Sequence, residues 1–282
     1  SRKMRRVQKE EIDAIVQGVS KLWLAEKNKI YTYDSGKKEF YTEIPDHNIQ
    51  VRVLLETSDQ RLVLGTVSSG LYIIDQNKKI RRVIGNTSQI SSIFEDSKKN
   101  IWVGTWHEGL FRLERSGNIV QYLPGKNDFS ITSEFVRAIC EDSNGSLWIG
   151  TKKWLDRLNP ESGNLKHYDS DEYNNRSLSN ESVWALLRDS QGSIWVGTYF
   201  GGVNFFNPDI DFYSFHDLRS GELRNKPFPI ISEIVEDNQQ QLYLCTEGNG
   251  LIHYNPATRT YKTIGHIPGN PNTLSSDNIK TS

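Results

Sequence analysis

The sequence predicts an all-β protein, and three observations lead there. The first is a phrase that returns. Ile101-Trp102-Val103-Gly104-Thr105 comes back as Leu147-Trp148-Ile149-Gly150-Thr151 and as Ile194-Trp195-Val196-Gly197-Thr198. Weaker copies are Leu22-Trp23-Leu24-Ala25-Glu26, Leu62-Val63-Leu64-Gly65-Thr66 and Leu242-Tyr243-Leu244-Cys245-Thr246. The second is the content of each repeat: four short runs of strand length, bounded by turn residues, with no helical period between them. The third is the spacing. The second position of the phrase falls at 23, 63, 102, 148, 195 and 243, so the steps are 40, 39, 46, 47 and 48 residues. A period of roughly 40–50 residues belongs to propeller blades. The expected fold is therefore a β-propeller of four-stranded antiparallel blades, with six full blades and partial strands of a seventh.

Each run in a repeat has a local reason. Run a is short and apolar, as in Val136-Arg137-Ala138-Ile139-Cys140. A polar turn follows, and in Asp142…Gly145…Trp148 and Asp189…Gly192…Trp195 it has a mechanism. The Asp carboxylate can accept backbone N–H groups two or three residues on, and Gly takes φ > 0. In the Asp96…Trp102 copy, Asn100 stands near the Gly position, and Asn also tolerates the left-handed conformation. Run b is the phrase itself, apolar on successive residues, so both its faces are expected to be buried. Trp at 23, 102, 148 and 195 recurs at one strand position and is expected in the core. Run c is typified by Leu110-Phe111-Arg112-Leu113, and run d by Gly117-Asn118-Ile119-Val120-Gln121-Tyr122-Leu123.

Taken in order, the blades are expected at about 12–44, 49–84, 90–123, 135–168, 183–215 and 230–264, in one propeller spanning 1–282. Ser-Arg-Lys-Met-Arg-Arg-Val at the start resembles the run d Lys78-Lys79-Ile80-Arg81-Arg82-Val83. At the end, Asn272-Thr273-Leu274-Ser275-Ser276-Asp277-Asn278-Ile279 repeats the lead-in to a run a, Arg176-Ser177-Leu178-Ser179-Asn180-Glu181-Ser182-Val183. The simplest arrangement is a seven-fold ring cut inside its closing blade, because a blade shared by both termini removes the open edge. A six-bladed ring with loose ends is the alternative. The d–a connections after blades three, four and five are long, at 124–134, 169–182 and 216–229. They share one end of the blades with the residues after each Gly-Thr, the end where loops on a rigid scaffold carry function.

The frame Val-x-x-Ile-x-x-Asp-x-x-Gly-x-x-Trp-x-Gly-Thr-x-x-Gly-Leu is best matched from Val183 to Phe206, and it resembles the two-component regulator propeller repeat. The lead-in from Asn174 to Val183 resembles that family too. The resemblance covers essentially the whole chain. It departs where blade two lacks the Trp, Cys245 replaces Gly and Trp154 replaces the Gly before run c. It implies the periplasmic sensor region of a Bacteroidetes hybrid two-component system, a fragment of a larger sensor. There the propeller precedes a small β-sandwich, a membrane helix, a histidine kinase, and receiver and DNA-binding modules, none of them in this chain. It also implies sensing of oligosaccharides and signalling through a homodimer.

Composition and motifs narrow the chemistry. A net charge of −1 gives no electrostatic case for nucleic acid. No run of about 18 apolar residues is present, so no membrane contact is expected. Cys140 and Cys245 lie on strands two blades apart, and buried apolar thiols are the expected reading. His47, His107, His167, His216, His253 and His266 have no ligand spacing, so neither metal nor cofactor is expected. There is no G-x-S-x-G elbow or phosphate-binding loop. The Asp turn resembles the Asp-box of sialidase-type propellers, which is a folding element, so no catalytic residue is assigned.

A ligand site is expected where the repeat breaks its own pattern. The second residue of run a varies as Arg52, Ser91, Arg137, Trp184 and Ser232. The residues after Gly-Thr vary as Val67-Ser68, Trp106-His107-Glu108, Lys152-Lys153, Tyr199-Phe200 and Glu247-Gly248-Asn249. The candidates are Arg52, Arg137, Trp184, Trp106, His107, Glu108, Lys152, Tyr199 and Glu247. Aromatic faces stack on the apolar face of a sugar ring, and arginines and acids hydrogen-bond its hydroxyls. The first reading is a non-enzymatic sensor of an oligosaccharide. The alternatives are a propeller enzyme of lyase or glycosidase type, and a structural or dimerisation propeller with no ligand of its own.

Overall fold

The structure is a computed structural model that describes residues 12–18, 21–26, 29–34, 39–44, 49–85, 89–125, 130–171, 177–207, 212–216 and 230–279. Lys3–Val7, read above as an orphan strand, lies outside the described residues, as do 126–129, 172–176 and 217–229 of the long connections. Among the described residues there is no helix. The strands make six four-stranded sheets, each in sequence order, which are the blades of a β-propeller.

The chain divides into two compact units. The first holds residues 8–124 and 134–139, and the second 125–133 and 140–281. In the first unit, blade one is β1 (Ala14–Gln17), β2 (Leu22–Glu26), β3 (Lys29–Asp34) and β4 (Glu39–Ile44). Blade two is β5 (Val51–Glu56), β6 (Leu62–Thr66), β7 (Leu71–Ile74) and β8 (Ile80–Ile84). Blade three is β9 (Ile90–Glu95), β10 (Ile101–Thr105), β11 (Leu110–Leu113) and β12 (Ile119–Tyr122). Blade four opens on β13 (Val136–Glu141), within which the division between units falls. It continues in the second unit with β14 (Leu147–Thr151), β15 (Leu155–Leu158) and β16 (Leu165–Tyr168). Blade five is β17 (Val183–Arg188), β18 (Ile194–Thr198), β19 (Gly202–Asn207) and β20 (Phe212–His216). Blade six is β21 (Ile230–Glu236), β22 (Leu242–Glu247), β23 (Leu251–Asn255) and β24 (Thr260–Ile264).

The recurring phrase forms the second strand of every blade, and each of its residues has a job. In β6, β10, β14 and β18 all five residues are buried. Both faces of these strands meet side chains, and the packing clusters show how. Val63 and Leu71 of blade two pack with Ile90, Val103 and Phe111 of blade three. In the second unit, Trp195 and Val203 of blade five pack with Ile231, Leu244 and Tyr254 of blade six. The Gly is required by close approach. A Cβ at Gly65 would lie 2.5 Å from Ile90 Cγ2, and one at Gly197 would lie 2.8 Å from Ile231 Cγ2. In each case the obstructing residue belongs to the first strand of the next blade. The Thr closes the turn after the strand. The Oγ1 of Thr66, Thr105 and Thr198 donates to the carbonyls of Gly70, Gly109 and Gly202.

The Trp explains the Asp six residues before it. Trp102, Trp148 and Trp195 are buried, and their indole N–H groups donate to Asp96, Asp142 and Asp189 at 2.8, 3.0 and 2.7 Å. The other carboxylate oxygen holds the turn. In Asp142 it accepts the N–H groups of Asn144 and Ser146, two and four residues on rather than two or three. The left-handed residue is the third after the Asp: Gly145 at φ 76° and Gly192 at φ 88°. In the Asp96 turn that position is Lys99 at φ 68°, not Asn100. Asn100 instead gives its side-chain amide to Asp96, so its value lies in donation rather than in backbone freedom. Trp23 lacks an Asp in its shorter turn. It is only half-buried and donates to Glu56 of the next blade at 3.0 Å.

Residues 275–279 dock on blade six as a lead-in docks elsewhere. The Asp277 carbonyl accepts from Gly250 N, as the Glu181 carbonyl accepts from Trp154 N. Asn278 forms a bridge with Glu247, and the Ile279 carbonyl accepts from Ser232 Oγ at 2.7 Å.

Candidate functional site

In blades two, three, five and six the variable position in the first strand is the extra residue of a β-bulge. In blade two, Val51 pairs with Thr66 and Val53 with Gly65, so Arg52 is passed over. Trp184 is passed over between Val183 and Ala185, and Ser232 between Ile231 and Glu233. In blade three the shift lies opposite Ser91. A bulge leaves its extra residue out of the ladder and re-aims the side chain. The ladder therefore places no demand on this side chain, which is why its identity varies. Ser91 and Ser232 spend it on the scaffold, bonding the carbonyls of Val136 and Ile279. Arg52 and Trp184 reach aromatic rings instead, Trp106 and Tyr199.

The residues after Gly-Thr meet these bulges at the same end of the blade. Val67 N donates to Gln50 O, Trp106 N to Gln89 O and Tyr199 N to Ser182 O. Each bond ties a second-strand end to the residue just ahead of a first strand. The two sources of variation are thus brought side by side by backbone alone.

In the first unit this produces a continuous stack. The Arg52 guanidinium lies 5.2 Å from the Trp106 ring centroid. Trp106 packs on Phe135 at 4.7 Å, and the Arg137 guanidinium lies 4.8 Å from the Phe135 centroid. His107 meets the edge of Phe135 at 5.7 Å. Cations over aromatic faces gain from the ring quadrupole, more so when desolvated. Arg52 is partly buried, and burial pulls its guanidinium below the ordinary value, while leaving it charged at physiological pH. Its hydrogen-bond partner is the Gln89 amide oxygen, at 3.1 Å from Nε once the amide is oriented to accept. Among the described residues no carboxylate pairs with it. Glu108 follows in the same turn, where its backbone is held by Thr105 and Gln121.

In the second unit, Trp184 stacks on Tyr199 at 5.5 Å and 18°, and Tyr199 meets Phe200 at 4.1 Å. Phe200 is 49% exposed, so this aromatic group reaches solvent. Lys152 stands exposed on the turn of blade four. Glu247 ends β22 and is tied through its backbone to Asn278. The structure thus gathers Arg52, Trp106, His107 and Arg137 into one group and Trp184 with Tyr199 into another, each in its own unit.

Two contributors were missed in the sequence. Phe135, expected only as the start of blade four, lies one residue ahead of β13, which puts its ring against Trp106. Gln89 likewise precedes a strand, and only its contact with Arg52 reveals it. Cys140 and Cys245 are free and buried, and burial raises both thiols, Cys245 to about 11. Among the described residues no group of His, Cys, Asp or Glu is arranged to hold a metal.

Residues 84–107, 130–153 and 177–200 match the two component regulator propeller family. These three stretches are similar to the two-component regulator propeller repeat. Each matched stretch runs from a lead-in, through the bulged strand and the phrase, to the residues after Gly-Thr, so the regulator-propeller unit takes in both variable positions. No curated protein matches the chain. Among solved structures, a virginiamycin B lyase from Staphylococcus aureus superposes with a TM-score of 0.70 at 15% identity, covering 89% of this chain and 83% of that one. A streptogramin B lyase gives 0.69 at 16% identity, with 89% and 81% covered. The extracellular domain of a Bacteroides thetaiotaomicron protein described as a hybrid two component system gives 0.56 at 22% identity. There 93% of this chain is covered, but the chain spans only 42% of that domain. At these identities the likeness establishes the propeller fold.

Proposed function

We infer that this chain is a non-catalytic sensor propeller that recognises an oligosaccharide at the bulge end of its blades. The observation that carries the reading is the Arg52–Trp106–Phe135–Arg137 stack, with Arg52 extruded from the ladder and lacking a carboxylate partner among the described residues. Indole and phenyl faces suit the apolar face of a sugar ring, and the guanidinium donors suit its hydroxyls or an acid. The regulator-propeller repeats and the extracellular two-component neighbour support a place in signal transduction. On that basis the chain belongs to the periplasmic part of an inner-membrane sensor, acts as a homodimer in the full sensor and passes its state to a histidine kinase.

The test is calorimetry against an oligosaccharide panel chosen by thermal shift. A ligand at a hundred times its Kd adds about 2.7 kcal/mol of stability, which a melt resolves. Arg52→Ala and Trp106→Ala should each weaken binding by about tenfold or more, on the scale of one desolvated stacking or charged contact, with an unchanged far-UV spectrum. Unchanged affinity in both removes the site from this end. A second reading is an enzyme, favoured by the two lyase structures whose lengths this chain largely covers. Product formation from the panel, followed by mass spectrometry, decides for it.

A further inference from the structure

Trp154 occupies a position that the fold gives to glycine. It ends the turn between the second and third strands of blade four. The equivalent residues Gly70, Gly109, Gly202 and Gly250 have φ of 86°, 73°, 74° and 74°, and Trp154 has φ 79°. For a bulky side chain that conformation is a true outlier, held only where something else compensates. The scaffold does not need the indole. Trp154 N donates to Glu181 O as Gly109 N donates to Glu134 O, and its carbonyl accepts from Thr151 as that of Gly109 accepts from Thr105. Those are backbone roles, and glycine fills them without strain.

The side chain is not built into the core as the other tryptophans are. It is half-buried, its indole N–H donates to no described residue, and its ring contact is the Lys153 ammonium, 4.6 Å from the centroid. The core tryptophans instead give their N–H to an Asp and pack among aromatic rings. Lys153 is itself positioned: its carbonyl accepts from Thr132 and Thr151, and its N–H donates to Thr151. A strained backbone therefore presents an aromatic face, a donor and a neighbouring cation to solvent.

We propose that Trp154 is a separate binding platform for a sugar ring bearing an acidic group, with the ring on the indole and the acid on Lys153. The class of ligand rests on the carbohydrate reading above, but the place rests on this observation alone. The probes are a tetrasaccharide of alternating uronic acid and N-acetylhexosamine and its carboxyl-reduced form, titrated by calorimetry. The parent should bind the acidic form more tightly. Trp154→Gly should melt at or above the parent's midpoint, because strain is relieved, and should bind both forms about tenfold more weakly or worse. Lys153→Ala should abolish the preference for the acidic form. A Trp154→Gly variant that melts clearly below the parent shows the indole to be packing and overturns the proposal. So does unchanged affinity in that variant, a preference that survives Lys153→Ala, or no saturable binding of either form by the parent. The Arg52→Ala variant separates the two sites. Weakening by Trp154→Gly alone keeps this platform and removes the Arg52 group from the ligand; weakening by Arg52→Ala alone does the reverse.

Discussion

Asp142 shows how much one residue of the repeat holds. Its side chain is fully buried. One oxygen accepts from two backbone N–H groups of the turn, and the other from Trp148 and, at 2.7 Å, from the Arg157 guanidinium. Removing one partner of a buried charged network leaves the rest unpaired, at a cost of about 3–5 kcal/mol. Asp142→Ala should lose that much in urea melts, and Trp148→Ala a similar amount through the cavity it leaves. If Asp142→Ala melts like the parent, the turn is held by something other than this carboxylate. At this scale the sequence was readable for what recurs and opaque for what does not. Asp, Trp and Thr recur because each makes the same bond in the blades that carry it, and Gly because a Cβ there would meet the next blade's first strand. Phe135 and Gln89 act once, beside side chains from other strands, and nothing in their immediate neighbours signals it.

At the scale of strands, the phrase is a packing specification. Its Gly lies where the next blade's first strand presses closest. Gly197→Ala would bring a Cβ to within 2.8 Å of Ile231 Cγ2 and 2.9 Å of its Cβ. Overpacking of this kind costs about 1–3 kcal/mol, so the variant should unfold at correspondingly lower urea, and a co-substitution Ile231→Ala should recover part of the loss. An unaffected midpoint for Gly197→Ala means that the two strands can slide apart freely. The strands themselves were legible from period and turn residues. The bulges were not. An extra residue in a ladder has no composition of its own, and Arg, Ser and Trp fill the same place.

For the molecule as a whole, the buried titratable groups set its behaviour in alkali. Burial, aided by the charge of Glu233, raises Cys245 from 9.0 to about 11, and burial raises Tyr254 from 10.0 to about 12. In the unfolded chain these groups ionise first, so between about pH 9 and 11 the unfolded state is favoured by ionisation that the folded state resists. Stability should be full below pH 9 and fall above it, by up to about 1.4 kcal/mol per pH unit for each such group. Urea melts from pH 7 to 11 should show this fall, with a shallower one in Cys245→Ala. A flat profile would mean that the thiol already ionises freely in the fold.

The bulge has a consequence for how such a protein can change over generations. Its extra residue is excused from the ladder, so a substitution there meets few of the constraints that fix the strand around it. Where it is Ser91 or Ser232, exchange forfeits one hydrogen bond, worth about 0.5–1.5 kcal/mol. Where it is Arg52 or Trp184, exchange alters what the blade offers to solvent and leaves the pairing of Val51, Val53, Val183 and Ala185 in place. Blades two, three, five and six thus each carry one letter that can be rewritten almost independently of the text that folds it. A lineage built this way can try new ligands one blade at a time, keeping its stability while its specificity drifts.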